Sequence, residues 1–259
     1  MQTGAITSYI DVAQLTLYAF WVFFAGLIYY LHRENKREGY PLIDERVGHA
    51  KVEGFPFVPG PKGFIQSDGS VVLVPRAEPA DVVNGRPIAA WPGAPLAPTG
   101  DPMLSGMGPG AWAQHRADVP DHCFDDHGPK IVPLRTVPDF FLAWEDPKVL
   151  GMAVLGLDGV QAGTVVDAWI DRSEVVIRYL EVELAPPAGM GRVLLPMNFM
   201  TMKPKLRQVR TNTILAEQFA AVPKTRDNET VTMLEEEKIM AYYGGGLMYA
   251  TARRQEPLL

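Results

Sequence analysis

"GMAVLGLDGVQAGTVVDAWIDRSEVVIRYLEVEL", residues 151–184, holds the pattern on which the fold turns. Two apolar runs flank Asp158-Gly159, a pair suited to the positive backbone angles of a tight hairpin turn. A long strand is predicted over Glu174–Leu184, with further strands in "GRVLLPM" (191–197) and "KLRQVR" (205–210). Short strands at close spacing with little helix predict a small, strongly curved antiparallel sheet or barrel. After them, "NETVTMLEEEKIMAYYGGG" (228–246) predicts a C-terminal helix near 232–243. Thr232 is its N-cap with Glu235 three residues on, acids fill its first turn, and the glycines from Gly244 end it.

Alternation along the long strand places Glu174, Val176, Arg178, Leu180 and Val182 on one face. An arginine among apolar neighbours requires a carboxylate, and Glu174, Asp171 and Asp167 are the candidates. The pattern fits first a structural ion pair in a barrel, and second a partly buried acid of tunable pKa that passes protons.

On the N-terminal side lies "DHCFDDHGPK", residues 121–130, with two histidines, three acids, a lysine and the only cysteine, Cys123. One cysteine excludes an intramolecular disulfide and a Cys-rich zinc fold. His122 and His127 have a spacing found in helical metal sites, but Asp-Asp and Gly-Pro make this stretch a loop. Neither a third well-placed ligand nor a nucleophile-elbow serine or cysteine accompanies it. A surface loop of titratable groups is left, able to collect protons from water because histidine changes charge near neutral pH.

Further back, residues 51–110 hold eleven of the 23 prolines and ten of the 24 glycines. Long helices cannot form there. Apolar runs such as Phe64-Ile65 and Val71–Val74 make it extended chain with short strands, laid over a surface. Before it, "VAQLTLYAFWVFFAGLIYYL" (12–31) runs twenty residues without Asp, Glu, Lys, Arg or His. At about 1.5 Å per residue such a helix spans roughly 30 Å, the thickness of a bilayer core. The segment ahead of it carries Asp11 and no Lys or Arg, unlike a secretory signal. His32, Arg33, Lys36 and Arg37 follow it at once, which predicts an outside N-terminus and a cytoplasmic bulk; the same four residues could hold an anionic lipid.

The expected organisation is therefore a short extracytoplasmic N-terminus (1–11), a transmembrane helix (12–32), an extended surface segment (33–110) and a mainly β cytoplasmic domain (111–259). A net charge of −6 argues against nucleic acid as partner. A membrane-tethered enzyme and a single-pass adaptor whose barrel binds another protein remain as alternatives.

Several segments resemble the H subunit of the purple-bacterial photosynthetic reaction centre: "FWVFFAGLIYYL", "KREGYPL", "PTGDPMLSGMGP", "WIDRSEVVIRYLEVEL" with "LLPM", and "LEEEKIMAYYGGGLMYA". They occur in family order along nearly the whole chain. The resemblance implies a PRC-barrel domain in a bacterial inner (chromatophore) membrane, capping the L and M subunits. Those partners carry bacteriochlorophyll, bacteriopheophytin, quinones and non-haem iron, while the H subunit binds no cofactor directly and has no active site of its own. A cytochrome subunit and light-harvesting antenna are further partners it brings into view. Implied roles are to stabilise the complex, shield the quinone region and contribute to proton transfer to the secondary quinone. Residue by residue, the resemblance puts Glu174, Arg178 and Asp171 on the proton path, Lys130 beside its entrance, and Tyr40 under the quinone region. Asp125, Asp126 and His127 are the nearest equivalents of the entrance, where His127, Asp125 and His122 would form an adventitious divalent-ion site.

Overall fold

The computed structural model describes residues 4, 6–7, 10–40, 42–44, 50–66, 69–76, 83–91 and 93–255. The chain divides into two units, Met1–Ala80 with Ala89–Ala94, and Asp81–Ile88 with Pro95–Leu259.

Helix α1 (Val12–Glu34) dominates the first unit, two residues longer at its C-terminal end than the predicted span. Asp11 caps it by accepting the Gln14 N–H at 2.7 Å, and a 3-10 turn over Asn35–Arg37 ends it. The helix is long and apolar enough to cross a membrane, and none of its side chains is buried within the structure. Thirteen large apolar or aromatic side chains between Val12 and Leu31 stay exposed. At about 1.5–3 kcal/mol for each aliphatic or phenyl group, leaving them in water would cost tens of kcal/mol. The helix must therefore be covered by lipid or by other helices.

The Pro/Gly-rich segment forms hairpins, as its interrupted apolar runs predict. Strand β1 (Leu42–Asp44) pairs with β2 (Ala50–Val52), and β3 (Lys62–Ile65) with β4 (Val71–Val74). In the second unit β5 (Gly85–Pro87) pairs with β6 (Leu96–Pro98).

A seven-stranded sheet organises the second unit. It contains β7 (Ile131–Pro133), β8 (Ala153–Leu155), β9 (Gln161–Asp171), β10 (Val176–Leu184), β11 (Arg192–Pro196), β12 (Met200–Lys203) and β13 (Gln208–Thr211). The order is β11-β10-β9-β8-β13-β12, with β7 pairing to β9. Only Met197–Phe199 link β11 to β12, the two ends of that path, so the sheet must curl to bring its ends together. One pairing, β13 with β8, is parallel, a departure from the all-antiparallel expectation. The Asp158-Gly159 hairpin is present between β8 and β9, with Gly159 at φ +74 and Asp158 Oδ1 accepting the Val160 N–H.

Inside the curl lie Trp169, Tyr179, Leu180, Leu195, Ile214 and Phe219, joined by Ile239, Tyr242 and Tyr243 from α2 (Met233–Tyr249). The predicted capping box forms: Glu235 N–H donates to Thr232 Oγ1 and Thr232 N–H to Glu235 Oε2. The helix does not stop at Gly244, however, but continues through the glycines to Tyr249. There the glycines serve packing. A Cβ on Gly246 would lie 2.6 Å from the Thr213 carbonyl oxygen, and one on Gly245 would lie 3.2 Å from the Gly110 Cα.

Candidate functional site

Residues 121–130 close into a loop in the second unit. Lys130 N–H donates to the Asp121 carbonyl (2.7 Å), Cys123 N–H to that of Gly128 (2.9 Å), and His127 N–H to that of Cys123 (3.1 Å). His127 turns the chain with φ +54. His122, Asp125, Asp126 and His127 all face solvent, whereas Cys123 is buried. Asp126 is committed to an ion pair with Arg172 and accepts the Gly128 N–H. The Arg172 guanidinium, helped by that N–H, holds the Asp126 carboxyl below the usual carboxylate range. Among the described residues no three His, Cys, Asp or Glu side chains are gathered to hold a metal ion. The His127, Asp125 and His122 set is not gathered into such a group, and all three residues are exposed.

The loop ends at Lys130, whose ammonium lies 3.7 Å from Asp121 and 3.7 Å from Asp171. Asp171 closes β9 and is only 2% exposed. Its Oδ1 accepts the backbone N–H groups of Ser173 and Glu174, both at 3.0 Å. Those bonds build the turn into β10, completed by Val175 at φ +54. Glu174 therefore sits in an exposed turn, and the strand predicted from residue 174 starts at Val176.

Arg178 also leaves the predicted face. Ile177 pairs with Ile170 and Tyr179 with Trp169, so Arg178 is the extra residue of a β-bulge. A bulge re-aims its side chain and breaks the alternation. Arg178 is exposed and makes no ion pair within 4 Å among the described residues. Of its three candidate partners, Asp171 takes Lys130, Asp167 takes Arg135 (2.8 Å), and Glu174 lies in the turn.

The carboxylate that feels Arg178 comes from a residue the sequence reading missed, Glu236 in the first turn of α2. Its Oε2 accepts the Tyr179 O–H at 2.7 Å. Burial raises the Glu236 pKa, with Asp121 and Asp171 adding to the rise against the Tyr179 hydrogen bond and Arg178. Burial and Glu236 in turn push the Tyr179 phenol well above its ordinary range, so it stays protonated. Acids filling the first turn are visible in the sequence; which strand they meet is not.

A second charged group lies under a cleft of about 530 Å³. Glu181 is 5% exposed and accepts from Arg135 (2.5 Å), Arg192 (3.1 Å) and Trp169 Nε1 (3.2 Å). Every oxygen of this carboxylate is occupied, which marks it as a structural ion cluster. That is the ion-pair reading of the strand's charges, realised at Glu181 and Asp167 instead of Arg178.

In the first unit, Lys36 is 4% exposed and donates to the carbonyls of Glu53 and Pro56, both at 2.7 Å. Arg37 pairs with Glu34 and donates to the carbonyls of Gly60 and Val74. These two cations tie the backbone at Glu53, Pro56, Gly60 and Val74 to the end of α1. His32 and Arg33 remain exposed, and half-buried Tyr40 lies with its ring centroid 5.1 Å from the Lys36 ammonium.

Two comparisons with known families bear on this arrangement. Residues 4–136 match the family model of the photosynthetic reaction centre H-chain, N-terminal region. Residues 145–217 match the PRC-barrel domain.

Proposed function

We propose a role that starts from one fact: this chain belongs to the photosynthetic reaction centre H-chain family, with a PRC-barrel domain following the family's N-terminal region. It is a membrane-associated, pigment-free structural subunit of a photosynthetic complex. In this reading α1 crosses the membrane with its N-terminus on the periplasmic side, and the remainder covers the cytoplasmic face of the L and M subunits. The cover keeps water from the quinones and at the same time supplies the protons they need. Each quinone leaves as quinol after taking two electrons and two protons, so a carrier under a protein cap depends on side chains to relay protons.

The observation that carries the reading is the joined set Asp121, Lys130 and Asp171, with Glu174 on the turn that Asp171 holds. It connects the exposed loop of His122, Asp125 and His127 to a buried carboxylate within one unit. Protons gathered on the rim reach Asp171 beside Lys130, and Glu174 passes them outward to the partner subunits. Arg178 supplies positive charge near this route, and Tyr40 lies under the quinone region in the same reading. The bacteriochlorophyll, bacteriopheophytin, quinone and non-haem iron belong to partner subunits.

Replacing Glu174 by Gln in the intact complex tests the route. Proton-coupled reduction of the secondary quinone should slow while the initial charge separation stays as it was. An unchanged second electron-transfer rate would remove Glu174 from the route.

A further inference from the structure

We infer that Glu236, hydrogen-bonded to Tyr179, is a further proton-holding residue of this subunit, taking up and releasing a proton beside the Asp121, Lys130 and Asp171 set. The inference rests on the proton-transfer reading given above and adds a residue to it.

Three elements bring charge to Glu236. Strand β10 contributes Arg178 and the Tyr179 hydroxyl, β9 contributes Asp171, and the loop before β7 contributes Asp121. Lys130 lies between the two aspartates, and Glu237 on α2 adds negative charge felt by Tyr179. Leaving Glu237 aside, three carboxylates face two cations. One negative charge is thus in excess in a partly desolvated place, and the cheapest relief is a proton on one carboxylate. Asp171 is the more buried, but its carboxylate already has the Lys130 ammonium and two backbone N–H groups as partners. Glu236 has one hydroxyl donor and, among the described residues, no ion pair, so the shared proton resides there. Burial and the two aspartates raise its pKa, which moves its titration toward neutral pH.

The step is a simple transfer. An O–H bond of a hydronium ion breaks and an O–H bond forms on the Glu236 carboxylate, leaving water and a neutral acid. Release reverses it, with the proton passing through water to the reduced quinone of the partner subunits. Tyr179 keeps its own proton and holds the carboxyl in place through its hydroxyl.

A purely structural Glu236 would serve only as the acceptor for Tyr179, and Gln would serve equally well. The test is therefore light-induced infrared difference spectroscopy on the intact complex, together with the rate of the second electron transfer. Glu236→Gln should abolish a carboxylic-acid carbonyl band that responds to quinone reduction. It should also slow the second electron transfer on the order of tenfold, less than the full effect of a sole relay because parallel acids remain. Tyr179→Phe should keep the band and move its pH midpoint upward, which decides the matter should Glu236→Gln fail to assemble. An unchanged band in Glu236→Gln, or an unmoved midpoint in Tyr179→Phe, overturns the inference. Asp171→Asn run alongside separates the two levels. If it slows the second electron transfer while the Glu236 variants change nothing, only Glu236 falls; if none of them matters, the proton-transfer reading falls too.

Discussion

Lys130 Nζ lies 3.7 Å from Asp171 Oδ2, tying the titratable loop to the innermost carboxylate at the end of β9. The same carboxylate holds the turn into β10 through two backbone N–H groups. Asp171 holds the turn and, in the proposed route, also receives the proton, and two substitutions separate these tasks. Asp171→Asn keeps an oxygen for Ser173 and Glu174, and Lys130 keeps Asp121. Asp171→Ala strands both N–H groups and should cost about 2–4 kcal/mol. Denaturant unfolding should place Asn within about 1 kcal/mol of the parent and Ala well below it. Equal losses would show that the turn does not depend on the Asp171 acceptor.

The glycines of α2 give a second test. Ala is the better helix former by about 1 kcal/mol, so a freely exposed Gly→Ala change would stabilise the helix. At Gly246 the new Cβ would meet the Thr213 carbonyl and the Ile214 side chain, both at 2.6 Å. Gly246→Ala should therefore lose roughly 1–3 kcal/mol from overpacking. Gly244→Ala meets the Pro109 carbonyl at 3.1 Å and the Phe199 ring at an ordinary contact distance of 3.9 Å, and should cost less. Melting temperatures of the two variants check the order.

Glu181 and Arg192 form a pair with unequal surroundings, and their substitutions should differ accordingly. The arginine side chain is half exposed, while the glutamate also serves Arg135 and Trp169. Arg192→Ala should change stability by less than about 1 kcal/mol. Glu181→Ala leaves the Trp169 indole N–H and part of Arg135 without an acceptor, and should cost about 3–5 kcal/mol. Denaturant unfolding gives both values.

The raised pKa of Glu236 fixes the sign of a pH effect. Its folded-state pKa lies above the unfolded value of 4.5. The protonated form is thus favoured by folding, a contribution fully present below about pH 4.5 and lost as pH rises through the raised folded pKa. Glu236→Gln retains an acceptor for Tyr179 but cannot ionise. Relative to the parent, its stability should grow from acid toward neutral pH, as followed by unfolding across that range. A constant difference would mean that the carboxyl titrates normally.

What could be read from the sequence was whatever depends on neighbours along the chain. The uncharged run from Val12, the Asp158-Gly159 turn and the Thr232 capping box each rest on a few adjacent residues. The misreadings have a common cause in long-range register. Strict alternation put Arg178 beside Glu174, but a bulge between Ile177 and Tyr179 shifts the register and Asp171 removes Glu174 into a turn. Gly244–Gly246 look like a helix stop until Gly110 and Thr213 are packed against them. Lys36 reads as a membrane-flanking cation, and its partners are carbonyls seventeen and twenty residues away. Glu236 is one acid among three in "EEE"; only the docking of α2 on β10 singles it out.

The most direct test of the account is the second electron transfer to the secondary quinone in the complex stripped of this chain and then restored with it. Initial charge separation should persist in the stripped complex, the proton-coupled second transfer should slow sharply, and adding back the chain should restore it. An equal rate with and without the chain would contradict the account.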